Sequence, residues 1–559
     1  MKKVLIGLTL VYVFMALVVV NIIIRDESKI TYYSDAVRLL STEGKESSDL
    51  KDNDIVTIQI NYKKYPEFIV NNLNMDSTEE EICSYRQKIK SNYNAFFDKY
   101  NKKIISYLNI NDALEVYSSK YAPVIEVSYN IKKYKEVCNK VLSKISSYNL
   151  VDNIKVFSSD MEVSPKLELA VRKMGMESIY QNKTYCGRGV KVGILESGIP
   201  DEDHANLVDS NLTIRRIWNY VEHEDEHTTT MASIIGGSYG IASGAEMYSV
   251  ELYLSPTQEI DWLLDNDVDV VNCSYGYTNS RGTYSDLSAY FDYISKAYGV
   301  TFIAAAGNEG NIDGLVCNPA LGYNVIAVGN VGYGNSNCIT SSYMSNNGPC
   351  KPNVSCYGGD IYIENIGTRN GTSISTAITT GVVACLMEKF PALKGKPEMV
   401  NAILSSGSTE PYNMDTTDPN GYDTYAGAGV VNFEKSAIDY DMLARYMAYD
   451  YSTDIDNVIW EEQLDMFVDE YLVISANALA FANGDKDDTY FPKLRINLYK
   501  NSYSNLVAYS YSSTDNNAFL RYKITEDAVY IICILYMGCN GSITYPVNIA
   551  YSFDIVWTE

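Results

Sequence analysis

The fold of this chain is decided by residues 368–377, which read TRNGTSISTA. Polar, turn-forming residues here run directly into an apolar segment, residues 377–390, that is typical of a helix. Gly371 permits a tight turn that puts Ser373 near the helix N-terminus, where unpaired N–H groups and the dipole favour negative charge. A serine in that position can attack a carbonyl carbon, and nearby N–H groups can hold the resulting oxyanion. The stretch therefore predicts a nucleophilic serine, which needs a base and a group that orients the base.

Three upstream segments supply these groups. A buried strand is predicted to end in Glu196 (VKVGILESG), a helix to begin with His227 (HTTTMASIIG), and an apolar strand to lead to Asn308 (AAAGNEG). The order acid, histidine, serine along the chain is that of subtilisin, whereas α/β-hydrolases run serine, acid, histidine. This order along the chain therefore favours a subtilisin-type arrangement.

On these residues the chain resembles the subtilisin-like serine proteases over residues 167–437. The resemblance implies an α/β fold with a doubly wound parallel sheet. Further matching blocks are GIA (240–242), VNCSYG (271–276), NPA (318–320), VIAVG (325–329) and KPNV (351–354).

The resemblance also implies a role for each site residue. Ser373 is the expected nucleophile and His227 the general base. Asn308 and the backbone N–H of Ser373 are expected to form the oxyanion hole. A polypeptide substrate is expected to pair as an added strand with a segment made of Ser274, Tyr275 and Gly276.

The acid position departs from the family. Subtilisins carry Asp where this chain has Glu196, whose carboxylate is one methylene longer and reaches about 1.5 Å further. Thr230 and Ala377 also replace a histidine and a proline that are usual in the family. Two hypotheses follow: an active serine endopeptidase, or a pseudoprotease that binds or signals because Glu196 no longer orients His227. The retained Ser373, His227 and Asn308 favour the first.

Composition limits the partners and cofactors. Lys plus Arg number 45 against 70 Asp plus Glu, a net charge of −25, which disfavours binding to nucleic acid. No cofactor is needed for the predicted chemistry, and no catalytic metal site is predicted. Calcium is a common structural ligand in the family, and the acidic residues between 261 and 269 could bind it, but their spacing matches no calcium-binding loop and a solvated acidic face is favoured. Of eleven cysteines, Cys385 is expected to be a buried free thiol. Cys338, Cys350 and Cys356 lie close together in the sequence, which allows one disulfide bridge among them without deciding it.

The amino terminus predicts membrane attachment. Two lysines precede an uncharged apolar run, residues 4–24, that is long enough to span a bilayer. A signal anchor is favoured over a cleaved signal peptide, with residues 25–52 as a tether. The expected location is the extracellular side of a bacterial cell membrane, or the medium after processing.

Three domains are predicted after the tether. Residues 53–160 show the order β-α-β-β-α-β and resemble an inhibitory propeptide, with a generic α+β spacer as the alternative. Residues 161–440 form the expected catalytic domain, beginning with a helix over 168–180, and self-cleavage is expected between 158 and 167. Residues 441–559 alternate like an antiparallel β-sandwich of the jelly-roll kind. Its predicted strands cover residues 471–476, 493–499, 505–512, 528–536 and 545–557.

Overall fold

A computed structural model gives the architecture, and its described residues fall into two compact units. The first unit comprises those within residues 1–66, 90–160 and 253–261, and the second those within 67–89, 161–252 and 262–559. The structure describes residues 29–32, 55–66, 78–108, 110, 113–157, 168–216, 223–252, 255–277, 280–332, 336–359, 361–363, 365–410, 420–440, 443–448, 457–541 and 547–557.

The first unit is an α+β arrangement around a five-stranded sheet. Its strand order is β1-β5-β2-β4-β3, with β1 parallel to β5 and the other pairs antiparallel. The elements are β1 (Ile30–Tyr32), β2 (Ile55–Tyr62), α1 (Glu79–Leu108), β3 (Glu115–Ser118), β4 (Val124–Asn130), α2 (Ile131–Ser146) and β5 (Val151–Phe157), and of α1 only residues 90–108 belong to this unit. The β-α-β-β-α-β order predicted for this region is present, but β1 lies inside the segment predicted as a tether.

A buried polar cluster lies within this unit. The Glu126 carboxylate accepts hydrogen bonds from Ser255 Oγ and, at 3.2 Å, from Gln59 Nε2. Gln59 also donates to Thr257 Oγ1 at 2.9 Å. Burial raises the pKa of Glu126, and these hydrogen bonds oppose the rise. Residues 255 and 257 thus belong to the same hydrogen-bonded network as β2 and β4.

The second unit contains a seven-stranded sheet in which every neighbouring pair is parallel. The strand order is β12-β11-β10-β9-β6-β8-β7. Its strands are β6 (Lys191–Glu196), β7 (Leu212–Arg215), β8 (Glu246–Glu251), β9 (Val270–Cys273), β10 (Thr301–Ala305), β11 (Val325–Val331) and β12 (Val354–Tyr357). The helices before, between and after them are α3 (Glu168–Lys173), α4 (Glu177–Asn182), α5 (Glu226–Gly236), α6 (Thr257–Asp265), α7 (Asp286–Tyr298), α8 (Thr372–Lys389), α9 (Pro397–Ser406) and α10 (Phe433–Asp439), and of α6 only residues 262–265 belong to this unit. The predicted α/β fold with a doubly wound parallel sheet is confirmed.

The packing explains why the strands read as apolar runs. Strands β6, β9, β10 and β11 are buried along nearly their whole length, as expected for a parallel sheet covered on both faces. Helix α8 lies in the same core and buries its apolar and small side chains on every side. The polar ends of these strands are therefore held by a rigid scaffold.

The single helix predicted over residues 168–180 is wrong. The chain forms α3 and α4 instead, because Gly175 adopts a left-handed backbone with φ of +68°. A side chain at this position would also approach Glu434 to within 2.8 Å. Only glycine accommodates both constraints, so the helical pattern is interrupted there.

The carboxyl-terminal part forms two four-stranded antiparallel sheets, as predicted. Their orders are β15-β24-β17-β22 and β16-β23-β20-β21. The strands are β15 (Ala444–Ala448), β16 (Asn457–Met466), β17 (Glu470–Ala478), β20 (Pro492–Lys500), β21 (Leu506–Tyr511), β22 (Asn517–Lys523), β23 (Ala528–Cys539) and β24 (Val547–Trp557), with short two- and three-residue strands β13 (Ile361–Ile363), β14 (Gly367–Arg369), β18 (Phe481–Ala482) and β19 (Thr489–Tyr490) elsewhere in the unit. All five predicted strands are present, whereas β15, β16 and β22 were not predicted.

The sandwich is continuous with the core of the parallel sheet. Val473, Phe519 and Ala550 belong to the same apolar cluster as α8. Arg445 on β15 pairs with Glu398 on α9 at 2.8 Å, and the two side chains are only 5% and 1% exposed. The second unit is therefore one packed body rather than two separable ones.

Other expectations have mixed outcomes. Cys385 is a buried free thiol as predicted, and Cys338, Cys350 and Cys356 are all free, so no bridge joins them. The predicted span over residues 4–24 lies outside the described residues. Within the described part of the chain, no helix is long and apolar enough to cross a membrane.

Candidate active site

The proposed nucleophile lies in the first turn of a buried helix. Ser373 is the second residue of α8, and its side chain is only 1% exposed. Its Oγ donates a hydrogen bond to the backbone oxygen of Ser274 at 2.8 Å, and Ser274 Oγ donates to the Ser373 oxygen at 2.9 Å. The resting hydroxyl is therefore held by the segment that follows β9.

The proposed acid ends the neighbouring strand. Glu196 is the last residue of β6 and is fully buried. Its Oε1 accepts hydrogen bonds from Asn272 Nδ2 and from the Ser274 backbone N–H, both at 2.7 Å. Burial raises the pKa of Glu196, and these two hydrogen bonds oppose the rise. One carboxylate oxygen is thus fixed by the scaffold.

His227 approaches the other oxygen of Glu196. Its Nδ1 is 3.7 Å from Glu196 Oε2 and 3.9 Å from Asp225 Oδ2. Both separations exceed a hydrogen bond, and among the described residues neither ring nitrogen nor Glu196 Oε2 has a hydrogen-bond partner. Burial lowers the pKa of His227 to about 4, although the Asp225 carboxylate opposes this. The imidazole is consequently neutral at physiological pH, which is the form that a general base requires.

Asn308 is oriented by the residue before the nucleophile. Its Oδ1 accepts hydrogen bonds from Thr372 N at 3.0 Å and from Thr372 Oγ1 at 3.1 Å. Because the oxygen is the accepting end, the amide hydrogens on Nδ2 are the end left for a developing oxyanion. Asn308 is exposed, whereas Ser373 and His227 are buried.

The predicted substrate segment follows β9 beside the nucleophile. Ser274 contacts both Glu196 and Ser373, and Tyr275 is buried. Gly276 lies so close to Cys317 that an added Cβ would come within 2.5 Å of the cysteine Cβ. Ser274 thus lies beside the proposed nucleophile, and the close approach of Cys317 leaves no room for a side chain at position 276.

Several contacting residues escaped sequence reasoning. Asn272 holds Glu196, Thr372 holds Asn308, and Asp225 lies near His227. Thr372 could have been selected from the sequence, because it directly precedes the proposed nucleophile. Asp225 could have been selected as a helix N-cap, because it precedes α5 and accepts a hydrogen bond from Thr228 N at 2.8 Å.

The acidic residues considered for calcium have protein partners. Asp261 accepts from Ser119 Oγ at 3.0 Å, and Asp269 pairs with Arg86 at 3.0 Å. Among the described residues, no three His, Cys, Asp or Glu side chains form a group able to hold a metal ion. Asp261 and Asp269 are therefore engaged by a hydroxyl and a guanidinium of the protein itself.

Comparisons with known proteins agree with the geometry. Residues 187–429 match the family model described as the subtilase family, peptidase S8. Subtilisin DY of Bacillus licheniformis is 29% identical over 277 residues, covering 46% of this chain and 94% of that protein. The minor extracellular protease Epr of Bacillus subtilis strain 168 is 26% identical over 353 residues, covering 57% of this chain and half of Epr.

A solved structure, that of the prenylagaramide maturation protease PagA, is 24% identical with a TM-score of 0.40. That match covers 47% of this chain and 97% of the solved chain.

Proposed function

We propose that this chain, whose residues 187–429 match the subtilase family, is a subtilisin-like serine endopeptidase that cleaves polypeptides through Ser373. In this proposal His227 is the general base and Glu196 orients it. Asn308 Nδ2 and the backbone N–H of Ser373 hold the oxyanion.

One connected set of contacts carries the proposal. Ser274 accepts from the nucleophile through its oxygen at 2.8 Å and donates to the acid through its N–H at 2.7 Å. The free oxygen of that acid faces the imidazole at 3.7 Å. A polar chain thus links Ser373 to His227 inside a buried site, where electrostatic interactions are strong.

The mechanism begins with a rotation of Ser373. Its Oγ leaves the Ser274 oxygen, donates to His227 Nε2 and attacks the scissile carbonyl carbon while its proton moves to Nε2. The tetrahedral oxyanion is held by the Asn308 amide and the Ser373 N–H. The imidazolium then protonates the leaving amine, and an acyl-enzyme remains. Water then attacks the ester carbonyl while His227 accepts its proton, and the imidazolium returns that proton to Ser373 Oγ as the acyl C–O bond breaks and the acid product leaves.

A second candidate has an observation in its favour. The 3.7 Å separation between Glu196 and His227 is longer than a hydrogen bond, and His227 Nε2 has no partner among the described residues. A subtilisin-fold pseudoprotease that binds other proteins would tolerate such an unassembled site.

We extend the proposal to an extracytoplasmic precursor. The first unit serves as a propeptide, and the apolar run over residues 4–24 anchors the chain. Two observations support the propeptide role: the α+β topology and the presence of residues 255 and 257 in its buried network. Those two residues lie within the region that matches the subtilase family.

A fluorophosphonate probe tests the proposed function. Wild type should be labelled, and Ser373→Ala should not be. Absence of label on a folded wild type would favour the pseudoprotease. Hydrolysis of a casein substrate by wild type alone would add evidence for the endopeptidase.

A further inference from the structure

The site contains a second carboxylate beside the general base. Asp225 Oδ2 is 3.9 Å from His227 Nδ1, almost the same distance as Glu196 Oε2 at 3.7 Å. Besides His227, the proposed mechanism uses Ser373, Glu196 and Asn308. Asp225 has no place in that scheme, although it is as close to the imidazole as the acid is.

We propose that Asp225 is a positioning residue that stabilises the His227 imidazolium together with Glu196. This inference rests on the proposed function, since during turnover at neutral pH the imidazolium forms when Ser373 gives up its proton. The Oγ proton moves to Nε2, the Nδ1 proton stays in place, and the ring gains one positive charge. Two carboxylates then face that charge from Nδ1, and each attracts it.

The two carboxylates differ in how they are held. Glu196 is fully buried and bound through Oε1 by Asn272 and Ser274. The Asp225 side chain is 35% exposed, so its charge keeps contact with water and costs less to desolvate. Each carboxylate supplies what the other lacks: Glu196 a fixed geometry, Asp225 a solvated charge.

Helix α5 fixes the position of Asp225. Its Oδ2 accepts from Thr228 N at 2.8 Å and from Thr228 Oγ1 at 3.0 Å, which closes the helix N-terminus. His227 is the second residue of the same helix. Cap and base therefore move together, and the distance between them is set by the backbone.

Neighbouring charged groups have other partners. Glu226 pairs with Arg369, and His223 lies 3.5 Å from Glu251. Glu196 and Asp225 are the two carboxylates that have an ion-pair distance to His227 within the described residues. The electrostatic effect on the imidazole is accordingly assigned to these two.

The Asp225→Asn variant removes the negative charge but keeps the side-chain oxygen that caps helix α5. Asparagine is as good an N-cap as aspartate, so the helix keeps its acceptor while the charge is lost. We expect kcat/KM to fall about ten-fold at its plateau. The acid limb of the pH profile should move to lower pH, because a charge that favours the imidazolium is gone. Wild-type rate and profile would overturn the inference and leave Asp225 as a helix cap only.

Two controls complete the kinetic experiment. Thr228→Val removes one hydrogen bond to Asp225 but no charge, and Asp209→Asn removes an exposed charge elsewhere. Both should keep the wild-type pH profile. An equal shift in either control would overturn the inference, because it would trace the effect to the cap or to net charge.

A measurement independent of activity separates this inference from the proposed function. The chain has only three histidines, so the His227 imidazole can be followed by NMR in a Ser373→Ala background. Adding Asp225→Asn should lower the His227 pKa by about one unit. An unchanged value overturns the inference. A lowered value in a protein whose wild type resists the fluorophosphonate probe supports the inference and overturns the endopeptidase instead.

Discussion

Thr372 fixes the orientation of Asn308. Its backbone N–H and its hydroxyl both donate to Asn308 Oδ1, at 3.0 and 3.1 Å. The amide hydrogens of Asn308 are therefore the end left for the proposed oxyanion. This relationship sets the first expectation.

Asn308→Ala should lower kcat about 10²–10³-fold and change KM little. The oxyanion exists only near the transition state, so the ground-state complex loses nothing. Steady-state kinetics on a peptide substrate checks this split. Thr372→Val is the companion variant, and we expect a smaller loss in kcat because the backbone N–H of residue 372 remains. A rise in KM as large as the loss in kcat would indicate a packing role for Asn308.

Glu196→Gln should keep the fold and lower kcat by about 10⁴. Asn272 and Ser274 both donate to one oxygen, so the glutamine must place its own oxygen there. Its NH₂ then faces His227 Nδ1 and favours the tautomer that protonates Nε2, which cannot accept the Ser373 proton. Circular dichroism controls for folding. Near wild-type turnover would remove Glu196 from the site.

Glu196→Asp should also be less active than wild type. A side chain one methylene shorter cannot reach Asn272, Ser274 and His227 together from the same backbone position. Turnover above wild type would show that the glutamate is a tolerated change and that the backbone has not adjusted to it.

The acid limb of kcat/KM should lie below the ordinary histidine value of about 6.5. Burial lowers the pKa of His227 to about 4, and the base acts in its neutral form. Activity is therefore lost as pH falls through the lowered value, and it persists in mildly acidic buffer. A pH profile on a neutral peptide measures this. A midpoint at or above 6.5 would contradict the burial argument.

Self-cleavage is expected between residues 158 and 167, a window outside the described residues. A short stretch separates β5 from the start of α3 in the second unit, and the proposed propeptide precedes it. Mass spectrometry of wild type should find a new N-terminus in the window, and Ser373→Ala should remain intact. An uncut wild type that still reacts with the probe would mean a permanently tethered protease, and an uncut, unreactive one would favour the pseudoprotease.

Glu398→Ala should destabilise the second unit by about 3–5 kcal/mol, because it strands the buried charge of Arg445. Chemical denaturation measures the change. Lys523→Ala is the control, since its pair with Asp469 is exposed and should matter little. Equal effects of the two variants would mean that the buried pair does not hold the sandwich in place.

The sequence predicted elements better than contacts. Apolar runs and chain order identified the parallel sheet, because buried strands must be apolar on both faces. The break at Gly175 was missed because a helical pattern does not reveal a left-handed φ. Strand β1 was missed because it is three residues long in a polar segment and depends on pairing with β5.

The site was predicted by residue type but not by geometry. Asn272 contacts Glu196, which is far from it in the sequence. Asp225 lies near His227 because it precedes the same helix. Their positions follow from strand order and helix capping, which become visible only in three dimensions. The distance between Glu196 and His227 also depends on side-chain reach, which a substitution of Asp by Glu leaves undetermined.

The non-sequential strand order of the parallel sheet affects when the candidate site can form during synthesis of the chain. Strand β6 pairs with β8 and β9, while Ser373 arrives only with α8, so the site joins regions that are made early and late in synthesis. Such long-range pairing closes large loops and slows folding. A nascent chain therefore cannot assemble the candidate site until every strand of the parallel sheet has been synthesised, because Ser373 follows β12 in the sequence.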